Sequence, residues 1–337
     1  MQHKFLTGLL VIILFTYSCN SHVQDNNTQQ VDATPENLKI LNEKILLNDN
    51  DASLYNQRAL VYLQLNNIDS AFRDINKALL LDSVNPIFLT SLSDIYMASG
   101  MVQNALAALE KALIYDPKNN DALLKKAELH LYFEQYGNTL ELTERAIMND
   151  KLNPKAYFIR GFAFKLKGDT ANAIKNIQKC IEQDQNNYNA YIQLGLIFAA
   201  RHNPLAVEYY NNALNIDAKS IEAHYGLGMY YQDNGLLNEA LASYNNILLI
   251  DSTNKFAHYN MGYIHLVDLK MYREAIKYFD KAIKFAPDYH EAYYNKGYCY
   301  ELLGDMQNAR INYNKALEIE TNYNYAIEGL NRLDRLK

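Results

Sequence analysis

Three histidines, His224, His258 and His265, come nearest to a chemical constellation in this 337-residue sequence. Imidazoles hold metal when thiolate or carboxylate partners stand at fixed spacings and a second shell orients each ring. Here no His-Glu-x-x-His motif occurs, no cysteines pair at short spacing, and no further ligand falls into phase. Helix-packing histidines are therefore preferred over a metal centre. Gly226 and Gly228 lack the third glycine and the lysine of a phosphate-cradling loop, and read as small packing positions. Cys180 and Cys299 lie in helical patterns far apart in the chain, which favours free buried thiols over a disulfide. The expectation is no catalytic residue, no metal and no cofactor.

A fourth chemical feature stands near the start. His3 and Lys4 precede an apolar run from Phe5 to Phe15, too short to cross a bilayer with the usual margin, and then come Thr16-Tyr17-Ser18-Cys19. This arrangement resembles the lipobox of bacterial lipoproteins, which implies that residues 1–18 are a signal peptide and that the Cys19 thiol is acylated. Thr16 and Tyr17 depart from the usual leucine and small residue, so an ordinary secretory signal with an incidental cysteine stays open. Asn20 after the cysteine leans towards the outer membrane, on its periplasmic side or at the surface. Residues 19–33 are polar and aperiodic and read as a flexible tether. Asp69-Ser70-Ala71 and Asp169-Thr170-Ala171 resemble a short O-glycosylation sequon of some Gram-negative bacteria.

Hydrophobic residues make up 49% of the chain and charged ones 21%, enough to bury a large core. A net charge of −6 without basic runs argues against a nucleic-acid partner. There are 28 tyrosines and no tryptophan, and asparagine is plentiful in the turns; both read as compositional bias.

The elements that would position any site follow a 34-residue period. Small residues recur at Ala59, Ser93, Ala127, Gly161, Gly195, Gly228, Gly262 and Gly297, and again in series that begin at Ala71 and Ala78. Such residues let paired helices approach closely, while rings such as Tyr210, Tyr244, Phe279 and Tyr313 fill the space between pairs. Gly100, Gly168, Gly235 and Gly304 predict left-handed ends for first helices, and aspartates from Asp82 to Asp251 close the second ones. Thr34-Pro35-Glu36 announces a helix over 34–51, and a closing helix is predicted over 324–337.

The recurring positions, with Leu92, Leu194, Leu227 and Met261 one place before the small residue, resemble the tetratricopeptide repeat. The resemblance implies an all-α, right-handed superhelical solenoid of eight repeats, 52–85, 86–119, 120–153, 154–187, 188–220, 221–254, 255–289 and 290–323, with a capping helix at each end. It implies a non-catalytic scaffold that takes a protein or peptide partner in a concave groove lined by first helices, with no small-molecule substrate expected. Repeat positions five and nine read Phe158/Phe162, Ile192/Leu196, Tyr225/Met229, Tyr259/Tyr263 and Tyr294/Tyr298, and Asn260 and Asn295 at position six add amides. An apolar and aromatic track for a peptide is one reading; packing of first helices side by side is the other, held at even weight. Against the scaffold stands a structural subunit of a secretion, uptake or envelope-assembly machine, held by convex or end-face contacts.

Overall fold

The computed structural model describes residues 34–335. All regular elements among them are α-helices, and they fall into two compact units, one ending at Asp184 and one beginning at Gln185. The first unit holds α1 (Pro35–Leu47), α2 (Ala52–Gln64), α3 (Ile68–Leu81), α4 (Pro86–Ala98), α5 (Val102–Tyr115), α6 (Asn120–Tyr132), α7 (Tyr136–Asn149), α8 (Pro154–Leu166) and α9 (Thr170–Gln183). The second holds α10 (Tyr188–Ala199), α11 (Leu205–Ile216), α12 (Ile221–Asp233), α13 (Leu237–Ile250), α14 (Lys255–Val267), α15 (Tyr272–Phe285), α16 (His290–Leu302), α17 (Met306–Ile319) and α18 (Asn324–Arg335). In each unit the helices pack as antiparallel pairs, and each pair packs on the next, which is the plan of an α-solenoid.

Local chemistry sets the helix ends. Asn85, Asn119, Asn153, Asn187 and Asn254 each sit just before a first helix, and each side-chain oxygen accepts a hydrogen bond from a first-turn N–H. Ser220 does the same for α12. The abundant asparagines thus have a structural job that composition alone did not reveal. Asp82, Asp116, Asp150, Asp184, Asp217 and Asp251 take the C-cap places of second helices. Between the helices of every pair one residue turns into the left-handed region. Gly100, Gly168, Gly235 and Gly304 do so as expected, whereas Asn66, Glu134, His202 and Lys270 adopt φ between 50° and 58° without being glycine.

The small-residue columns are the cores of both units. Ala59, Ala71, Ala78, Ala105, Ala112 and Ala127 are wholly buried in the first, as are Ala206, Ala213, Ala240, Ala275, Ala309 and Ala316 in the second. In the loosest repeat Thr139 and Thr143 are buried too, and their hydroxyls donate to Ala127 O (3.3 Å) and Thr139 O (2.8 Å). Glycines make room for rings. A Cβ on Gly195 would stand 2.6 Å from Tyr210 Cε1, and one on Gly226 would stand 2.5 Å from the same atom, so Tyr210 lies in a slot between two glycines. Gly297 and Gly329 frame Tyr313 in the same way.

Candidate functional site

In the second unit the fifth and ninth repeat positions fall on α10, α12, α14 and α16, one helical turn apart on one face of each helix. The structure separates the two rows by depth in two of the four repeats. Ile192 is buried where Leu196 is half-buried, and Tyr259 is half-buried where Tyr263 is 37% exposed, whereas Tyr225 and Met229, and likewise Tyr294 and Tyr298, are all half-buried. The fifth-position rings are tied into the core. The Tyr259 centroid lies 5.8 Å from Phe279 and 4.9 Å from Tyr289, a ring contributed by the turn before α16. Tyr294 stands 5.6 Å from Tyr313 and 5.7 Å from Tyr323, the matching turn residue one repeat later. Tyr225 sits 6.1 Å from Tyr244.

The two asparagines at position six are buried and link neighbouring repeats. Asn295 Nδ2 donates to the Tyr259 hydroxyl (2.9 Å), and Asn260 Nδ2 approaches Met229 Sδ (3.9 Å). Their amides therefore point along the stack. Burial pushes the hydroxyl pKa of Tyr225, Tyr259 and Tyr294 upward, so these groups stay protonated at any ordinary pH.

In the first unit the equivalent face differs. Phe158 and Phe162 on α8 are both buried, stacked with centroids 6.3 Å apart, and Lys165 Nζ stands 5.5 Å above Phe162. On α4 and α6 the same face is charged, a feature sequence reasoning passed over. Lys125 Nζ bonds both oxygens of Asp94 (2.8 and 2.9 Å) and lies 3.6 Å from Asp121. Lys155 meets Glu128 at 3.1 Å. Burial would lower the pKa of Lys125, but Asp94 and Asp121 more than offset it and hold the ammonium charged. The signal was present as opposite charges at positions nine and six of successive repeats.

The histidines pack. His258 is buried, stacks on Phe285 at 5.7 Å and pairs its Nε2 with Ser252 O at 3.0 Å. His265 Nδ1 pairs with Met261 O at 2.7 Å, and the ring lies 4.9 Å from Tyr278. Among the described residues no group of three or more His, Cys, Asp or Glu could hold a metal ion. Cys180 and Cys299 are free, buried thiols whose pKa burial pushes up to about 12. Ser70 is buried and its hydroxyl accepts from Arg73 at 2.8 Å, and Asp69 lies in the first turn of α3, not in a turn between helices. Cys19 lies outside the described residues.

Family models described as the tetratricopeptide repeat match residues 52–85, 90–156, 154–187, 221–254 and 261–325. None of the curated proteins matches the chain. Among solved structures, the C-terminal part of a TPR repeat-containing protein from Cytophaga hutchinsonii aligns at 24% identity and TM-score 0.50, over 67% of this chain and 93% of that one. A tetratricopeptide repeat protein from Parabacteroides merdae aligns at 16% identity and TM-score 0.52, over 73% and 97%. The pilF protein of Pseudomonas aeruginosa aligns at 17% identity and TM-score 0.55, over 61% and 94%. At these identities the likeness speaks for the fold alone. Helix pairs, small-residue columns and matched models agree: this chain is a tetratricopeptide-repeat protein, an all-α scaffold for protein interaction.

Proposed function

We propose that this scaffold captures a peptide or a protein segment along the first helices of its second unit, and that it does so tethered by lipid on Cys19 at the cell envelope, leaning to the outer membrane. One observation supports the capture reading above the rest. The ninth-position row Leu196, Met229, Tyr263 and Tyr298 is apolar and aromatic, with Tyr263 37% exposed and the others half-buried, and it stands beside fifth-position rings packed on Tyr289 and Tyr313. A rigid bed under adaptable contacts lowers the entropy cost of binding. Tyrosines suit this role because they bury a large area while the hydroxyl keeps a polar contact. The residues Ile192, Tyr225, Tyr259, Asn260, Tyr294 and Asn295 serve as that bed.

The test pairs two variants. Met229→Ser with Tyr263→Ser should abolish the partner crosslinks that the membrane-bound chain forms, while Met229→Ser alone, which also removes the Asn260 contact, gives the melting shift that packing accounts for. Retained crosslinks would favour the structural-subunit reading, with contacts on convex or end faces. For the tether, Cys19→Ala should move the chain to the soluble fraction, because loss of acyl chains removes about 0.8 kcal/mol per buried CH₂. Persistence in membranes at high salt would place the tether elsewhere.

A further inference from the structure

The first unit carries an apolar ridge that the groove does not use. Leu46, Leu80, Ile114 and Met148 each stand two residues before the cap of α1, α3, α5 and α7, at Asn48, Asp82, Asp116 and Asp150. They recur at the repeat period and are 85%, 78%, 74% and 68% exposed. Core positions beside them are fully buried, so these side chains were placed outward in register across four successive helices. The row one helical turn back reads Glu43 on α1 and then Lys77, Lys111 and Arg145 on α3, α5 and α7, with Lys77 Nζ 5.9 Å over the Tyr55 ring and Arg145 Nη2 donating to Pro117 O at 3.3 Å. The next place in the column is Glu182, which pairs with Lys179, and there the ridge ends.

We propose that this ridge is a lipid-docking edge, which lays the first unit against an anionic bilayer surface. The proposal rests on the membrane tether above. Three observations favour lipid over a second copy or a protein partner. The ridge consists of flexible aliphatic side chains beside a basic row, the combination that inserts shallowly at an anionic interface. Apart from Glu43 on α1, the carboxylates at the caps beside the ridge are engaged in their own turns: Asp116 Oδ1 accepts from Lys118 N (3.0 Å), Asp150 Oδ1 from Leu152 N (2.9 Å), and Asp82 Oδ2 from Asn85 Nδ2 (2.9 Å). Finally, the chain before α1 carries the apolar run Phe5–Phe15 and Cys19, and the ridge begins in α1 itself. The residues between Cys19 and Pro35 reach at most about 50 Å when extended, so a tethered first unit stays near the bilayer.

The experiment labels Ile114→Cys with an environment-sensitive dye in a full-length Cys19→Ala background, since Cys180 and Cys299 are buried. Leu249→Cys, 78% exposed at the matching place of the second unit, is the control. Both chains are reconstituted with vesicles of phosphatidylethanolamine and phosphatidylglycerol that carry brominated acyl chains. Dye at 114 should shift to the blue and be quenched, and dye at 249 should not. Leu80→Asp with Met148→Asp should weaken the effect about tenfold or more while circular dichroism stays unchanged, and each cation removed should weaken it about fivefold at low salt. The proposal is overturned if dye at 114 stays as wet as dye at 249. It is equally overturned if 114 becomes shielded without vesicles as protein concentration rises, since a second copy then covers the ridge. Release from cell membranes is scored for Cys19→Ala with Leu80→Asp and Met148→Asp also present, so that it reports on the tether alone, and the quenching decides the ridge whichever way fractionation falls.

Discussion

Asn295 donates its side-chain amide to the Tyr259 hydroxyl across 2.9 Å, joining α16 to the first helix of the preceding repeat. Asn295 is buried and Tyr259 half-buried, so Tyr259→Phe keeps the ring packing and strands one buried donor. An unsatisfied group of this kind costs about 1–3 kcal/mol. In a unit of this size that corresponds to a melting shift of about 2–4 °C for each kcal/mol. Tyr263→Phe, with a more exposed hydroxyl, should leave the melting temperature within about 1 °C. Calorimetry on the two variants separates the rows; equal effects would mean that the deep row is no more structural than the outer one.

Glycine has opposite meanings at Gly226 and Gly137. A Cβ at Gly226 would press on the Tyr210 ring at 2.5 Å, while one at Gly137 meets nothing within 4 Å. Gly226→Ala should therefore cost about 1–3 kcal/mol through overpacking, against a helix-propensity gain of about 1 kcal/mol. Gly137→Ala keeps the gain without the clash and should stabilise by about 0.5–1 kcal/mol. Adding Tyr210→Leu to Gly226→Ala should recover part of the loss. Chemical denaturation followed by hydrogen exchange would locate the Gly226 effect in α10 to α13.

The periodicity made this much legible: Gly228 was readable as a packing position because it stands in phase with a small column, and Tyr210 and Tyr313 as rings that fill the space between pairs. Gly226 instead stands at the sixth place that Asn260 and Asn295 hold in later repeats, outside those columns. Depth was not legible. Tyr259 and Tyr263 are both tyrosines on one helix face, and only the next turn's Tyr289, arriving at 4.9 Å, decides which of them is covered. Non-local charge pairs escaped for the same reason: Lys125 finds Asp94 across two repeats' first helices, a meeting that no local window contains. The cap asparagines were visible but were read as composition, although Asn-x-x-Ala recurs at the starts of α6, α8, α10 and α14. The left-handed turns at Glu134 and Lys270 could be placed only by their phase with the glycines, since neither residue type favours that conformation.

His224 and His258 make the second unit sensitive to acid. Burial lowers the pKa of both below the ordinary 6.5, with only partial relief from the Ala218 and Ser252 carbonyls, and the Nδ1 of each is buried without a partner. The folded state thus holds them neutral while the unfolded chain protonates them near 6.5. A depressed folded pKa means that their contribution is complete above about pH 6.5 and drains away as pH falls through the folded values. Melting temperature should decline as pH falls below about 6.5. His258→Phe keeps a ring against Phe285 and should flatten part of that decline; an unchanged slope would assign the acid sensitivity to other groups.

Arg332 and Glu301 close the end of the second unit. Arg332 Nε and Nη2 donate to the two oxygens of Glu301 at 2.8 and 2.9 Å, and the Tyr313 hydroxyl donates to the same carboxylate. This fork draws α18 onto α16, where Leu333 is buried and Tyr313 would otherwise face water. Burial would raise the Glu301 pKa, but the Arg332 and Tyr313 hydrogen bonds outweigh it and hold the carboxylate below its ordinary 4.5. The stabilisation is therefore present above about pH 4.5 and lost as pH falls through the lower folded value. Because Arg332 is partly exposed, its removal should cost only about 1 kcal/mol. Arg332→Met keeps the aliphatic stem over Tyr298 and deletes the fork. Amide exchange in α18 should then speed up about fivefold at neutral pH, while α12 stays protected, as nearest-neighbour coupling requires. At a pH well below the folded Glu301 value the two proteins should exchange alike, since acid has already opened the fork in the parent. A uniform rise across the second unit at neutral pH would show that α18 is an integral part of one cooperative block, not a cap held by this pair.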